Sequence, residues 1–240
     1  MKKRKIEMKK KSIFDIHLHT SRYSFCSNLL PEDLIKYAKR RNLDGVVITE
    51  HGKVWSQSDL YRLQESAEKD NLKIFSGQEI RVLGSDGREG DVLVYGINKD
   101  FEEYLPIDEL LKIVDSEGGV AVAAHPRRNI LGLHDDIYLY QFHGVEILNS
   151  NYNSDEILIS LNDMKYLNCA FTGGSDAHSI DRIGRYVTIF YEPINSIEDI
   201  VKAIRKKKCF PAAGFITEEK IGEILEKKNL EILNIKQSIP

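Results

Sequence analysis

An α/β fold built on a mainly parallel sheet is what this sequence predicts, and three observations carry that expectation. Short apolar runs alternate with amphipathic stretches from Ser12 to about Phe210. The alternation repeats some six or seven times, the pattern of strand–helix units with helices outside a sheet. A closed β/α barrel fits a chain of 240 residues, with an open doubly wound sheet as the competing arrangement. No G-x-G-x-x-G or G-x-x-x-x-G-K-[ST] follows any strand, so the nucleotide-binding signatures are missing.

Taken in order, Ser12–His19 reads as a strand, with Phe14, Ile16 and Leu18 on one face and Ile13, Asp15, His17 and His19 on the other. Pro31–Arg41 reads as a helix, with Pro at its first turn, acids after it and bases at its end. Gly45–Thr49 is a second strand, Leu60 to about Asp70 a helix and Lys73–Glu79 a third strand. The stretch Ile80–Ile97 interrupts the rhythm: the Gly84–Gly87 cluster is a turn, and Asp91–Gly96 returns as a strand, which makes a hairpin. A helix over Ile107–Glu117 stops at Gly118-Gly119. Strands follow at Val120–Ala124, Gly144–Asn149, Cys169–Gly174 and Tyr186–Tyr191, with a helix over Ser154–Leu167. A last helix opens at Ser196 with an S-x-x-D variant of the capping box. The division expected is a basic tail over 1–11, a barrel domain over 12–214, and a C-terminal helix (Thr217–Lys228) and tail within 215–240.

Composition narrows the function classes. With 42% hydrophobic and 30% charged residues the chain is an ordinary globular protein, not a disordered or collagen-like one. A net charge of −3 gives no global electrostatic case for nucleic-acid or membrane binding. Three cysteines without a C-x-x-C pair argue against a secreted disulfide framework. No apolar run approaches the roughly 20 residues that span a bilayer, and no apolar segment of a signal peptide follows the basic start. The expected location is cytoplasmic, with no membrane partner.

The chemistry lies in the histidines. Of seven, His17, His19, His51, His125 and His178 fall at the C-terminal ends of expected strands, as do Glu79 and Asp176. In a β/α barrel that end builds the active site. His17-Leu-His19 places two imidazoles on one strand face, within reach of one metal ion. His51 closes Thr49-Glu50-His51, His125 closes Ala123-Ala124-His125-Pro126, and Ser175-Asp176-Ala177-His178 sets an acid and an imidazole two apart. Glu79, beside several imidazoles, is a candidate bridge between two cations. Nitrogen and oxygen ligands without thiolates suit Zn, Mn or Fe.

The set His17-Leu-His19-Thr20, Thr49-Glu50-His51, Glu79, Ala124-His125-Pro126 and Ser175-Asp176-Ala177-His178, in this order, resembles the PHP (polymerase and histidinol phosphatase) family of metal-dependent phosphoesterases. The resemblance spans Asp15 to about Gly184. It implies a distorted (β/α)7 TIM-like barrel as a single domain, with two or three divalent metal ions at its C-terminal face. Carried across residue by residue, it implies His17, His19, Glu79 and Asp176 as ligands of a first metal. Glu79 is implied as a bridge to a second metal shared with His125 and Asp91, and His51 and His178 as ligands of a third. The family often has an Asp or His shortly after H-x-H; Ser21–Cys26 contains neither, leaving water or Cys26 for that position.

The reaction implied is hydrolysis of a phosphate ester by metal-activated water, with no G-x-S-x-G nucleophile in the sequence. His51 and Asp176 are expected at the chemistry through the metals. Arg127 is expected to clamp the phosphate, in preference to Arg128, with Arg22, Lys53 and Arg185 as weaker rim candidates. Glu146 could approach the site but is expected instead to be a hydrogen-bonding or structural group, one able to orient a ligand histidine. Trp55 and Tyr61 are expected to cover the mouth or merely to pack, and His134 and His143 to lie at the surface. The substrate expected is a phosphorylated small molecule such as histidinol phosphate, a sugar phosphate or a nucleotide. Nucleic acid, cleaved by a nuclease, and a non-catalytic interaction module are the alternatives.

Overall fold

The computed structural model describes residues 11–213. The basic tail up to Lys10 and the expected helix Thr217–Lys228 lie outside the described residues. Ten strands are present among the described residues: β1 (Ser12–Asp15), β2 (Gly45–His51), β3 (Lys73–Leu83), β4 (Glu89–Tyr95), β5 (Leu105–Pro106), β6 (Val120–Ala123), β7 (Gly144–Asn149), β8 (Ala170–Gly174), β9 (Tyr186–Phe190) and β10 (Cys209–Ala213). Six helices connect them: α1 (Pro31–Arg40), α2 (Gln57–Glu68), α3 (Ile107–Ser116), α4 (Asp136–Leu139), α5 (Ser154–Asp163) and α6 (Ile197–Arg205).

The strands join in the order β10-β9-β1-β2-β3-β4-β6-β7-β8, with β5 beside β3. The pairs β1/β2, β2/β3, β6/β7 and β7/β8 are parallel, as strand–helix alternation requires. The expected hairpin is present as the antiparallel β3/β4 pair, β4 also pairs antiparallel with β6, and β9 pairs antiparallel with β1 and β10, so the barrel is not uniformly parallel. The sheet nearly closes on itself. Above β1 and β8 a seam forms: Asp176 N donates to His17 O (2.7 Å) and His19 N to Ala177 O (2.9 Å). Below it, Thr188 of β9 ties to Gly173 of β8, accepting from its N–H (3.0 Å) and donating to its carbonyl (2.8 Å).

Outward residues of β2, Val46 and Ile48, pack on Leu34 and Ala38 of α1 and Leu63 of α2. Outward Val92 and Val94 of β4 pack with Leu110 and Val114 of α3. The lower interior holds Phe14, Ile16, Leu93, Tyr95 and Val122, closed from below by Ile200, Ala203 and Ile204 of α6. Arg205 Nη2 fastens α6 to that end by donating to Gly119 O (2.5 Å). At the start of α6, Asp199 Oδ2 accepts from Ser196 N (3.2 Å), as the S-x-x-D signature implies.

Several elements differ from the sequence reading: the short β5 and α4 were not expected, α5 ends at Asp163 rather than Leu167, and three further differences have a local cause. The first strand ends at Asp15, not His19. Phe14 and Ile16 join the interior cluster while Leu18 joins the outer one against α1, so the alternation slips between Ile16 and His17. The cause is local: Leu18 N bonds the Thr49 side chain (3.2 Å), and the His17 carbonyl is taken by Asp176. Helix α2 starts three residues earlier than expected because Ser56 caps it, accepting from Asp59 N (3.2 Å). Strand β10 was not expected. Its Pro211 lowers strand propensity but is tolerated because β10 is an edge strand.

Candidate metal centre

At the C-terminal end of the barrel, side chains from five separate segments converge. His17 and His19 follow β1, His51 ends β2, Glu79 lies on β3, His125 follows β6, and Asp176 and His178 follow β8. The Glu79 carboxylate is central. Its Oε1 is 3.2 Å from His17 Nε2 and 3.1 Å from His125 Nε2, and its Oε2 is 3.2 Å from both His19 Nε2 and His51 Nδ1. Asp176 Oδ1 lies 3.6 Å from His17 Nε2 and 3.4 Å from His19 Nε2. Three overlapping sets result, each with its ligand atoms within 4.8 Å of one another: His17–His19–Asp176, His17–Glu79–His125 and His19–His51–His178.

The fit to metal ions rests on the nitrogens. His17 Nε2 and His19 Nε2 are buried and have no hydrogen-bond partner, although carboxylate oxygens surround them. A buried polar atom is normally satisfied, and one lone pair aimed among carboxylates is what a cation completes. The backbone is bent to achieve this. His125 and Asp176 adopt φ of 27° and 49°, in the left-handed region that non-glycine residues seldom occupy.

Behind the ligands stands Glu146 of β7, fully buried. It accepts from His17 Nδ1 (3.0 Å), from His125 N (3.0 Å) and from Asn149 Nδ2 (2.9 Å). One carboxylate thereby fixes the His17 ring and the turn that carries His125. Gly174 makes room for it: a Cβ there would stand 2.4 Å from His17 Cβ and 2.5 Å from Glu146 Oε1.

The electrostatics reflect concentrated negative charge. Burial opposes a charged His19, yet Asp176 and Glu79 hold it up to about 9. Burial likewise opposes charge on His17 and His125; Glu146 and Glu79 raise the first, and Glu79 foremost raises the second. Burial would raise Glu79 and Asp176, but the histidines hold both below the ordinary carboxylate range. Asp91 differs: burial, reinforced by Glu79, pushes it up to about 6. It sits in the same cleft, with Oδ2 3.8 Å from His125 Nε2, but outside the three ligand sets, and its Oδ1 accepts from Arg81 Nε (2.5 Å).

The cleft above these residues has a volume of about 430 Å³, and Arg81, Arg128 and Arg182 are among the residues that line it. Here the sequence reading needs correction: Arg127 is not in the cleft. Its guanidinium is bidentate to Asp163 at the end of α5 (Nε 2.6 Å, Nη2 3.0 Å) and reaches Asp135 (2.8 Å). Arg127 and Arg128 leave the turn after Pro126 in different directions, and Asp163 claims the first. Arg128 Nη1 lies 3.7 Å from Asp176 Oδ2. Arg22 and Lys53 are engaged elsewhere, with Asp59 and Asp100. Arg81, Arg182 and Asn151 gave no sequence signal, since each is brought to the cleft by the path of the chain. Asn151 Nδ2 donates to Asp176 Oδ2 (2.7 Å) and its Oδ1 accepts from Arg182 (2.5 Å).

The remaining candidates fall away from the cleft. Trp55 is buried and Tyr61 exposed. His143 is structural rather than a surface group: Nδ1 accepts from Ala121 N (3.2 Å) and Nε2 donates to Asp115 (3.0 Å). Asp15, also unflagged by the sequence as a buried group, accepts from Ser175 N (3.0 Å) and Gly184 N (2.9 Å) beneath the centre. Among the described residues no helix is long and apolar enough to cross a membrane.

Comparison with known proteins agrees with this fold. A family model described as PHP-associated matches residues 164–209. An uncharacterised protein of Methanocaldococcus jannaschii is 27% identical over 161 residues, covering 62% of this chain and 88% of that protein. Among solved structures, a two-domain Bacteroides vulgatus protein containing a predicted PHP-like metal-dependent phosphoesterase superposes with a TM-score of 0.66 at 18% identity. The match covers 92% of this chain and 71% of that one. PsfC from Pseudomonas syringae gives 0.63 at 17% identity over 93% of this chain and 99% of its own. A lesion-specific endonuclease from Pyrococcus furiosus gives 0.56 at 17% identity, with 82% of this chain and 56% of that one.

Proposed function

We propose, from the premise that this chain is a PHP-family barrel, that it is a metal-dependent hydrolase of phosphate esters acting at the cleft above Glu79. The observation that supports this most is the sharing of ligand residues among three adjacent sets under a cleft whose lining includes three arginines. His17, His19, Glu79 and Asp176 would hold one divalent ion, Glu79 and His125 a second with Asp91 at its edge, and His51 and His178 a third with His19. Zn, Mn or Fe ions held there would supply hydroxide near neutral pH and Lewis-acid contacts to phosphoryl oxygens. The protein's part is to orient and to exclude alternatives. Arg128 and Arg182 present guanidinium donors to an anionic substrate. Cys26, an exposed thiol at the cleft, is held towards its protonated form by partial desolvation and by the nearby carboxylates.

The catalytic unit is taken as residues 12–214, and the substrate as a phosphorylated small molecule. Purified protein should contain two or more equivalents of Zn, Mn or Fe by plasma mass spectrometry. It should hydrolyse p-nitrophenyl phosphate, and chelation should abolish the activity. Cleavage of bis(p-nitrophenyl) phosphate or an oligonucleotide in preference to the monoester would move the reading to a phosphodiesterase. Less than one equivalent, unrecovered on metal addition and without turnover of either ester, would overturn it in favour of a binding module.

A further inference from the structure

We propose that Glu50 and Ser24 are positioning residues that set which nitrogen of His19 faces the metals. The inference rests on the metal-centre reading above and concerns residues that contribute no ligand to it. Glu50, next to His51 in sequence, points away from the cleft and is fully buried. Its oxygens accept from Thr20 N (3.1 Å), Thr20 Oγ1 (2.5 Å), Trp55 Nε1 (3.0 Å) and Ser24 Oγ (2.5 Å). A buried carboxylate with so many donors is a built site, not a residue stranded by the fold.

The direction of these bonds carries the argument. A carboxylate accepts and does not donate, so the Ser24 hydroxyl hydrogen is committed to Glu50. What remains on Ser24 Oγ is lone pairs, and the group next to them is His19 Nδ1, at 3.5 Å. Ser24 can then only accept from that nitrogen. The proton of neutral His19 is thereby drawn to Nδ1, and the lone pair is left on Nε2, the atom that lacks a partner and faces Glu79 and Asp176. His17 obtains the same result directly, because Glu146 accepts from its Nδ1 at 3.0 Å. The two ligand histidines of the H-x-H motif are therefore oriented by two different carboxylates, one in contact and one through a hydroxyl. Backbone bonds hold the hydroxyl in place: Ser24 N donates to Thr20 O (3.1 Å) and Ser27 N to Ser24 O (3.0 Å).

Glu50→Gln is the informative change. The amide that replaces one oxygen can donate to Ser24, which frees the Ser24 hydroxyl to turn its hydrogen on His19 Nδ1 and favours the wrong tautomer. Zinc affinity measured by chelator competition should fall about 10- to 100-fold for the site containing His19. Ser24→Ala, the smaller change, should weaken that site about tenfold, and Ser24→Thr, which keeps the hydroxyl, should restore it. Nitrogen NMR of the zinc-loaded wild type should show His19 with Nδ1 protonated and Nε2 zinc-bound, with that signature lost in Glu50→Gln. A merely structural role would lower thermal stability and leave affinity and tautomer unchanged in the folded protein, and that result would overturn the proposal. If Glu50→Gln does not fold, the Ser24→Ala and Ser24→Thr pair decides in the same way. A wild type that binds neither zinc, manganese nor iron overturns the metal-centre reading and this inference together; metal binding that none of the variants alters overturns this inference alone.

Discussion

The two halves of the barrel interior handle burial in opposite ways. The lower half is filled by Phe14, Ile16, Val47, Leu93 and Tyr95, and its main polar atom, Tyr95 Oη, is satisfied by donating to Ile16 O (2.8 Å). The upper half buries His17, His19, Glu79, Glu146 and Asp176, none more than 3% exposed. Apolar packing stabilises the fold by removing area from water. Buried charge does so only when each group is paired. The upper half therefore depends on what completes it, whereas the lower half is complete by itself. This separation predicts that mutations in the two halves divide cleanly between activity and stability.

The sharpest test is Asp176→Ala. Removing a carboxylate from the ligand sets should abolish phosphate-ester hydrolysis, with kcat/KM down about a thousandfold or more, as expected when metal-supplied chemistry is lost. Circular dichroism should report an unchanged fold, and full activity in the folded variant would refute the ligand assignment. In the lower half, Phe14→Ala should cost about 3–5 kcal/mol in denaturant unfolding with metal stoichiometry unchanged in the folded fraction. The adjacent arginines give a second contrast. Arg128→Ala should lower kcat/KM about 10- to 100-fold by removing charge-assisted donors to substrate. Arg127→Ala should leave KM unchanged and lower stability by about 3 kcal/mol, because it strands Asp163. Reversed effects would return Arg127 to the active site.

The smallest effect is on pH. In metal-free protein His17 and His19 are raised by carboxylates despite burial, from an ordinary 6.5 to about 9 for His19. Their contribution to stability is fully present below 6.5 and is lost at alkaline pH, for His19 as pH rises through about 9. Glu79 and Asp176 are lowered from 4.5 and 3.8 by the histidines, so theirs is present above those values and is lost as pH falls. Chelated protein should therefore be most resistant to urea between about pH 4.5 and 6.5, with its midpoint lower at pH 9. Metal-loaded protein should lack the alkaline decline, since cations replace those protons. A flat profile for the chelated protein would contradict the charge pattern.

Much of this was legible in the sequence, for a physical reason. Strand ends follow from apolar runs of the right length, so His17, His19, His51, Glu79, His125 and Asp176 could be placed at one end of a barrel before any coordinates. Side-chain direction in loops is not encoded that way. Arg127 and Arg128 differ only in which partner each meets, and Asp163 lies 36 residues further along the chain. Arg81 pairs across β3 and β4, and Arg182 reaches Asn151 from 31 residues away. The slip of alternation between Ile16 and His17 was equally invisible, because it is imposed by bonds to Thr49 and Asp176.

The seam between β1 and β8 has a mechanical consequence. Where the sheet comes round to meet itself, the closing bonds involve the backbone of His17, His19 and Asp176, whose side chains converge on one point just above. An ion gripped there is a clasp fastening two stretches of chain that in Asp15 and Ser175 stand 160 residues apart. Like any crosslink across a long loop, it narrows the ensemble the chain can explore when it opens, and like any ligand of the native state it deepens the native well. Unclasped, the barrel should part first along this line, and deuterium should enter the amides of His19 and Asp176 well before those of Val92 and Val94 on the far wall.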